Sequence, residues 1–112
     1  MAEEKRSSPR IHKRFILRTA VFGDKPLRWS YVTIRNISSS GALFTLDKAV
    51  KAGTLLHFKI DFPDRVIECM GRVTRQAGTQ DGFQDVGASF EGITPADRTY
   101  IDSIIRSGVS DR

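Results

Sequence analysis

The sequence predicts an all-β domain with a C-terminal helix: a six-stranded antiparallel barrel behind a flexible N-terminal arm. Three observations predict it. Six short runs rich in β-branched and aromatic residues follow one another, separated by Gly, Pro, Asp and Ser breakers. After Phe90 the spacing changes to a helical period. The chain has 112 residues, the size of one domain. Six strands must then share one core, and a barrel does this without exposing sheet edges.

The opening stretch to Pro9 is polar and broken by "SSP". Residues 1–10 are read as the flexible basic arm, and residues 11–108 as barrel and closing helix. "RFILRTAVF" is the first strand, and "GDKP" ends it. "RWSYVTIRNI" is the second, expected to alternate Trp29, Tyr31, Thr33 and Arg35 against Ser30, Val32, Ile34 and Asn36. Trp29 is expected to pack at the barrel's end. "GALFTLD" is the third strand and "KAVKAG" a connector. "TLLHFKIDF" alternates Leu56, Phe58 and Ile60 against His57, Lys59 and Asp61. "RVIECMGRVTRQ" is the fifth strand, "AGTQDG" a loop and "FQDVGASF" the sixth. The helix is expected at about 94–107, with Ala96, Tyr100, Ile101, Ile104 and Ile105 on its apolar face. Thr94 is its N-cap and Pro95 its first residue. Asp97 stands where a capping-box acid reaches back, and Gly108 ends the helix.

Composition excludes several classes. No run of 18 apolar residues occurs, so no membrane insertion is expected. The N-terminus lacks the apolar stretch of a secretory signal. The single cysteine, Cys69, can form no internal disulfide and suits a reducing, cytoplasmic setting. It is read as a buried structural thiol. Neither an enzyme nor a metal site is expected: nucleophile-elbow, zincin and P-loop patterns are missing, and His12 and His57 lie on separate strands. Formal net charge is +5, which favours an anionic partner. The charge is concentrated: Lys5, Arg6, Arg10, Lys13, Arg14 and Arg18 follow one another with no acid among them.

Between the second and third strands lies "NISSSG", longer and more polar than a two-residue hairpin requires. With "RSSPR" in the arm it completes a recognisable pair: Arg6 and Arg10 in R-x-x-x-R spacing, then Asn36, Ser38 and Gly41 in [D/N]-x-S-x-x-G spacing. In this order, on a chain of this length, the pair resembles the PilZ domain, a bacterial six-stranded barrel that binds the second messenger cyclic di-GMP. The resemblance covers nearly the whole chain, from "PRIHKRFILRTAVF" through "GRVTRQ" and "GFQDVGASFEGITPADRTYIDSII".

The resemblance implies a cyclic di-GMP receptor or adaptor, its ligand clamped between the arm arginines and the loop. Guanine presents O6 and N7 as paired acceptors, which an arginine fork matches bidentately. The same fork matches phosphate oxygens. Asn36 would face guanine's N1–H and N2–H₂ edge, with one acceptor oxygen to offer. Ser38 can bond a phosphate, a base edge or the loop backbone. Gly41 permits positive φ or close approach to the ligand. Ser39 and Ser40 are read as loop filler. Gly87 fits a family position for a strand glycine. Arg75 stands where some members carry an aromatic, and can stack its guanidinium on a base. With no output domain of its own, the chain is expected to signal to an unidentified effector protein.

Two other readings use the same residues. One is a small basic barrel that binds nucleic acid. Such barrels present aromatic platforms, whereas here the aromatics are expected in the core, so no stable nucleic-acid binding is predicted. The other is a PilZ-like protein-interaction module without ligand binding, against which the intact arginine pair argues.

Overall fold

The computed structural model describes residues 15–78 and 81–110. Six strands, β1 (Ile16–Val21), β2 (Ser30–Ile37), β3 (Gly41–Leu46), β4 (Leu55–Asp61), β5 (Val66–Gly78) and β6 (Gln84–Glu91), precede one helix, α1 (Pro95–Ser110). The strands close into an antiparallel barrel in the order β1-β2-β3-β6-β5-β4.

Period-two alternation builds the core. Leu56, Phe58 and Ile60 of β4 face inward and are buried, as are Ala42, Phe44 and Leu46 of β3 and Val86, Ala88 and Phe90 of β6. The Phe58 ring sits edge-on between Phe44 and Phe90, at centroid distances of 5.8 and 6.0 Å. Helix α1 lays Tyr100, Ile101, Ile104 and Ile105 against this core, with Ile101 wholly buried. Its Tyr100 meets Phe62, which in turn packs on Phe15, so the helix covers the end where β1 begins and β4 finishes. The cap forms as the sequence predicts: the Asp97 amide donates to the Thr94 hydroxyl at 3.0 Å. The Asp97 carboxylate instead accepts from Arg65 at 3.1 Å.

Several expectations need correcting. β5 continues through Ala77 and Gly78, because both pair with β6 opposite Asp85 and Gln84. The helix runs past Gly108 to Ser110. Ala96, in the first turn, is exposed, because the helix has not yet come over the barrel there. Trp29 lies not at the barrel's end but beside the outward side chains of β4: its ring is 6.1 Å from His57, with the Lys59 ammonium 4.9 Å from its centroid. Cys69 is half-buried, and its thiol is pushed up from 9.0 to about 12, first by burial and then by the Asp97 charge.

The strictest alternation fails in β2. Ile34 pairs with Phe44, but the next pair is Asn36 with Leu43, so Arg35 is an extra residue, a β-bulge. A bulge sets two consecutive residues against one partner. Ile34 therefore faces in, and Arg35 and Asn36 are both exposed. The assignment of Asn36 to the face of Ile34 is overturned by this one residue.

Candidate functional site

β5 carries a matching bulge. Val73 pairs with Ala88 and Arg75 with Gly87, leaving Thr74 as the extra residue. The two bulges complete one row across four neighbouring strands on the barrel's outer face: Asn36 of β2, Leu43 of β3, Gly87 of β6 and Arg75 of β5. At about 4.8 Å per strand spacing, the row spans roughly 14 Å. Beside it runs Gly41 opposite Ser89. These residues line an open cleft of about 580 Å³, together with Ile37, Ser38, Ser40, Ala42 and Thr74.

The sequence-predicted residues of the described region thus meet in one place: Asn36, Ser38, Gly41 and Arg75 all line the cleft. Arg6 and Arg10 lie outside the described residues. Leu43 was missed. It is half-exposed at the centre of the row, an apolar floor between an amide and a guanidinium. Its signal was present in "ALFTL": if Ala42, Phe44 and Leu46 face in, Leu43 must face out.

The loop is held by its own polar groups. The Ser38 hydroxyl accepts from the Ser40 amide at 3.2 Å and lies 3.0 Å from the Ser40 hydroxyl. The Ser38 amide donates to the Gly41 carbonyl at 2.9 Å. Ser38, rather than Asn36, therefore stabilises the turn. Among the described residues, the Asn36 side chain makes no hydrogen bond, so its amide is free for a ligand. Ser39 and Ser40 do more than fill space. The Ser40 carbonyl accepts from the Phe90 amide at 2.9 Å, and the Ser39 carbonyl accepts from Arg98 of α1 at 3.1 Å.

Gly41 is required for a different reason than expected. Its φ is not positive. A Cβ there would collide with the Ala88 carbonyl oxygen of β6, with the Ser89 Cα 3.2 Å away. Glycine lets β3 lie against β6 beneath the loop. At Gly87 a Cβ would press on the Arg75 side chain, 3.2 Å from its Cγ and 3.3 Å from its Nε. The stem of Arg75 thus lies flat along the Gly87 backbone.

Charge is distributed unevenly around the cleft. Arg35 donates to Asp85 at 2.9 Å, and Thr45 shares that acid at 3.0 Å. Arg72 grips Glu91 with two bonds, of 2.7 and 3.2 Å. The Arg72 hydrogen bond holds the Glu91 carboxyl below its ordinary value. Arg75, by contrast, has no acidic partner among the described residues, and is the cation the cleft keeps available. An amide at one end, an apolar floor and a free guanidinium at the other suit a planar, polar-edged anion. No group of three or more His, Cys, Asp or Glu among the described residues is placed to hold a metal. No helix among them is long and apolar enough to cross a membrane.

A family model described as PilZ domain matches residues 4–107, and the chain belongs to the PilZ domain family. Among solved structures it is similar to the Bacillus subtilis inhibitor of motility MotI/DgrA, with 17% identity and a TM-score of 0.75 over 97% of this chain and 54% of that one. It is also similar to MrkH of K. pneumonia in its apo state, with 16% identity and a TM-score of 0.75 over 96% of this chain and 53% of that one. A third is the PilZ domain of YcgR from Escherichia coli with c-di-GMP, with 13% identity and a TM-score of 0.65 over 93% of this chain and 87% of that one. This chain spans about half the length of the first two, at 54% and 53%. At these identities the likeness concerns the fold. A comparison with curated proteins gave no significant match.

Proposed function

We propose that this chain is a cyclic di-GMP receptor that acts as an adaptor toward an effector protein, without catalysis. The observation that carries the reading is the four-strand row. It brings Arg75, distant in sequence, into one cleft with Asn36 and the adjoining Ser38 and Gly41, over an apolar floor. Membership of the PilZ family and the c-di-GMP-bound YcgR domain of the same fold support the choice of ligand.

In this reading Asn36 accepts from guanine's donor edge, and Arg75 lies against a base with its guanidinium. Arg6 and Arg10 supply forks for guanine O6 and N7 and for the phosphates. The chain direction favours this. Phe15 accepts from the Ile34 amide at 2.9 Å, so β1 starts beside the stretch of β2 that leads to Asn36. Phe15 lies five residues along the chain from Arg10 and nine from Arg6. Extended, these reach at most about 18 and 32 Å, enough to cross a cleft of roughly 14 Å.

The test is calorimetry with cyclic di-GMP on the parent, Arg6→Ala and Arg10→Ala. Each substitution removes a charge-assisted fork worth about 1.5–3 kcal/mol. Affinity is expected to fall roughly tenfold to over a hundredfold, with the melting temperature unchanged. Binding equal to the parent's in both variants would refute the clamp.

A further inference from the structure

We infer that Thr74 is a positioning residue for the ligand cleft: its hydroxyl bond to the Gly87 carbonyl holds the β5 bulge that delivers Arg75 to the outer face. This rests on the receptor reading for its ligand, but its structural basis is independent of it.

The argument starts from parity. Along β5, Gly71 and Val73 are buried, and Arg72 between them points outward to Glu91. Continued without interruption, that alternation would aim Thr74 out and Arg75 into the barrel. A guanidinium cannot go there without an acid partner, because burying an unpaired charge is prohibitive. The bulge removes the conflict. Thr74 is inserted, Arg75 falls opposite Gly87, and both side chains are exposed.

A bulge leaves ladder groups without their regular partners, so something must fix its geometry. Here the Thr74 hydroxyl donates to the Gly87 carbonyl at 3.0 Å. This bond reaches the same residue along which the Arg75 stem lies. A Cβ built on Gly87 would sit 3.6 Å from the Thr74 Oγ1 and 3.2 Å from the Arg75 Cγ. Thr74, Gly87 and Arg75 therefore form one contact triangle on the cleft floor. Losing the hydroxyl leaves the bulge unpinned at Gly87, so the Arg75 stem, still excluded from the barrel interior, is no longer held along that residue. Its guanidinium is then free to leave the cleft that it shares with Asn36.

The role is tested with Thr74→Val, which keeps shape and β-branching but lacks the hydroxyl, and with Thr74→Ser, which restores it. In calorimetry with cyclic di-GMP, Thr74→Val is expected to weaken binding about three- to tenfold, within the range of an arginine stacked on a ring. Thr74→Ser is expected to bind as the parent does. In an Arg75→Ala background the Thr74→Val penalty should vanish, because there is no guanidinium left to position. A penalty that persists there, or no penalty at all, overturns the inference. Nuclear Overhauser contacts between Gly87 Hα and the Arg75 Hγ protons give a readout that needs no ligand. They are expected in the parent and in Thr74→Ser, and are expected to disappear in Thr74→Val. If the parent fails to bind cyclic di-GMP, the receptor reading falls. These contacts then decide the positioning role alone, and their survival in Thr74→Val refutes it.

Discussion

Gly41 and Gly87 face the same cleft from neighbouring strands, yet adding one methyl to each should have opposite consequences. At Gly41 the new Cβ meets backbone: the Ala88 carbonyl group and the Ser89 Cα, neither of which can rotate away. β3 and β6 must separate locally, which costs about 1–3 kcal/mol as overpacking. The bond from the Phe90 amide to the Ser40 carbonyl, one residue away, is strained with it, adding about 0.5–1.5 kcal/mol. Gly41→Ala should therefore lose about 2–4 kcal/mol without any ligand present. At about 4 °C per kcal/mol for a domain of this size, melting should fall by on the order of 10 °C. At Gly87 the new Cβ presses on the Cγ and Nε of Arg75, a flexible side chain that can move, and meets the Thr74 Oγ1 at an ordinary contact distance of 3.6 Å. Gly87→Ala should melt within a few degrees of the parent, aided by the lower chain entropy of alanine, while displacing Arg75 and weakening ligand binding. Thermal melts by circular dichroism and calorimetry on both variants test this. If Gly41→Ala melts like the parent and loses only affinity, the close approach of β3 to β6 is not what demands glycine there.

Asn36→Asp should tighten or preserve cyclic di-GMP binding, because a carboxylate accepts from both guanine donors; calorimetry showing a clear loss would refute the donor-edge assignment. Asn36→Ala should lose affinity while melting within about 2 °C of the parent, because Ser38 holds the turn; an early melt with normal binding would contradict this. Cyclic di-AMP should bind far more weakly than cyclic di-GMP, since adenine places a donor where guanine has O6; equal affinities by calorimetry would show that only phosphate charge is read. Cys69 should resist iodoacetamide at pH 8 in the folded protein and react on unfolding, because its thiol is raised to about 12. The raised value also sets a sign: this group's contribution to stability is complete below pH 9.0 and is lost as pH rises toward 12. Denaturant titrations between those pH values check it.

What was legible in the sequence was what depends on one strand or one helix at a time. Leu56, Phe58 and Ile60 announce the inward face of β4 by period two alone. Thr94 and Pro95 announce the start of α1 by local chemistry. What was not legible depends on pairing between strands. Ala77 and Gly78 read as loop because of their composition, yet Asp85 and Gln84 are there to pair with them. Gly108 reads as a stop, but a helix already seated by Ile101 runs on past it. Trp29 reads as a residue of the barrel's end, because nothing in its own strand shows that Lys59 and His57 receive it.

The bulges belong to the same category, and they determine the site. In "VTIRNI" Ile34 and Ile37 are three apart, a spacing that no regular strand can turn to one face. One residue had to be extra, and Arg35 is tied to Asp85 outside the barrel. The stretch "VTRQ" in β5 poses the same conflict with a charge in place of an isoleucine, and it resolves the same way at Thr74. In both strands the two outward residues stand opposite one partner, Leu43 or Gly87, and those partners pair with each other. A broken period of two was therefore a pointer to the cleft before any motif was matched. The motif names Asn36, but only the bulge turns it to the face where a ligand can reach it.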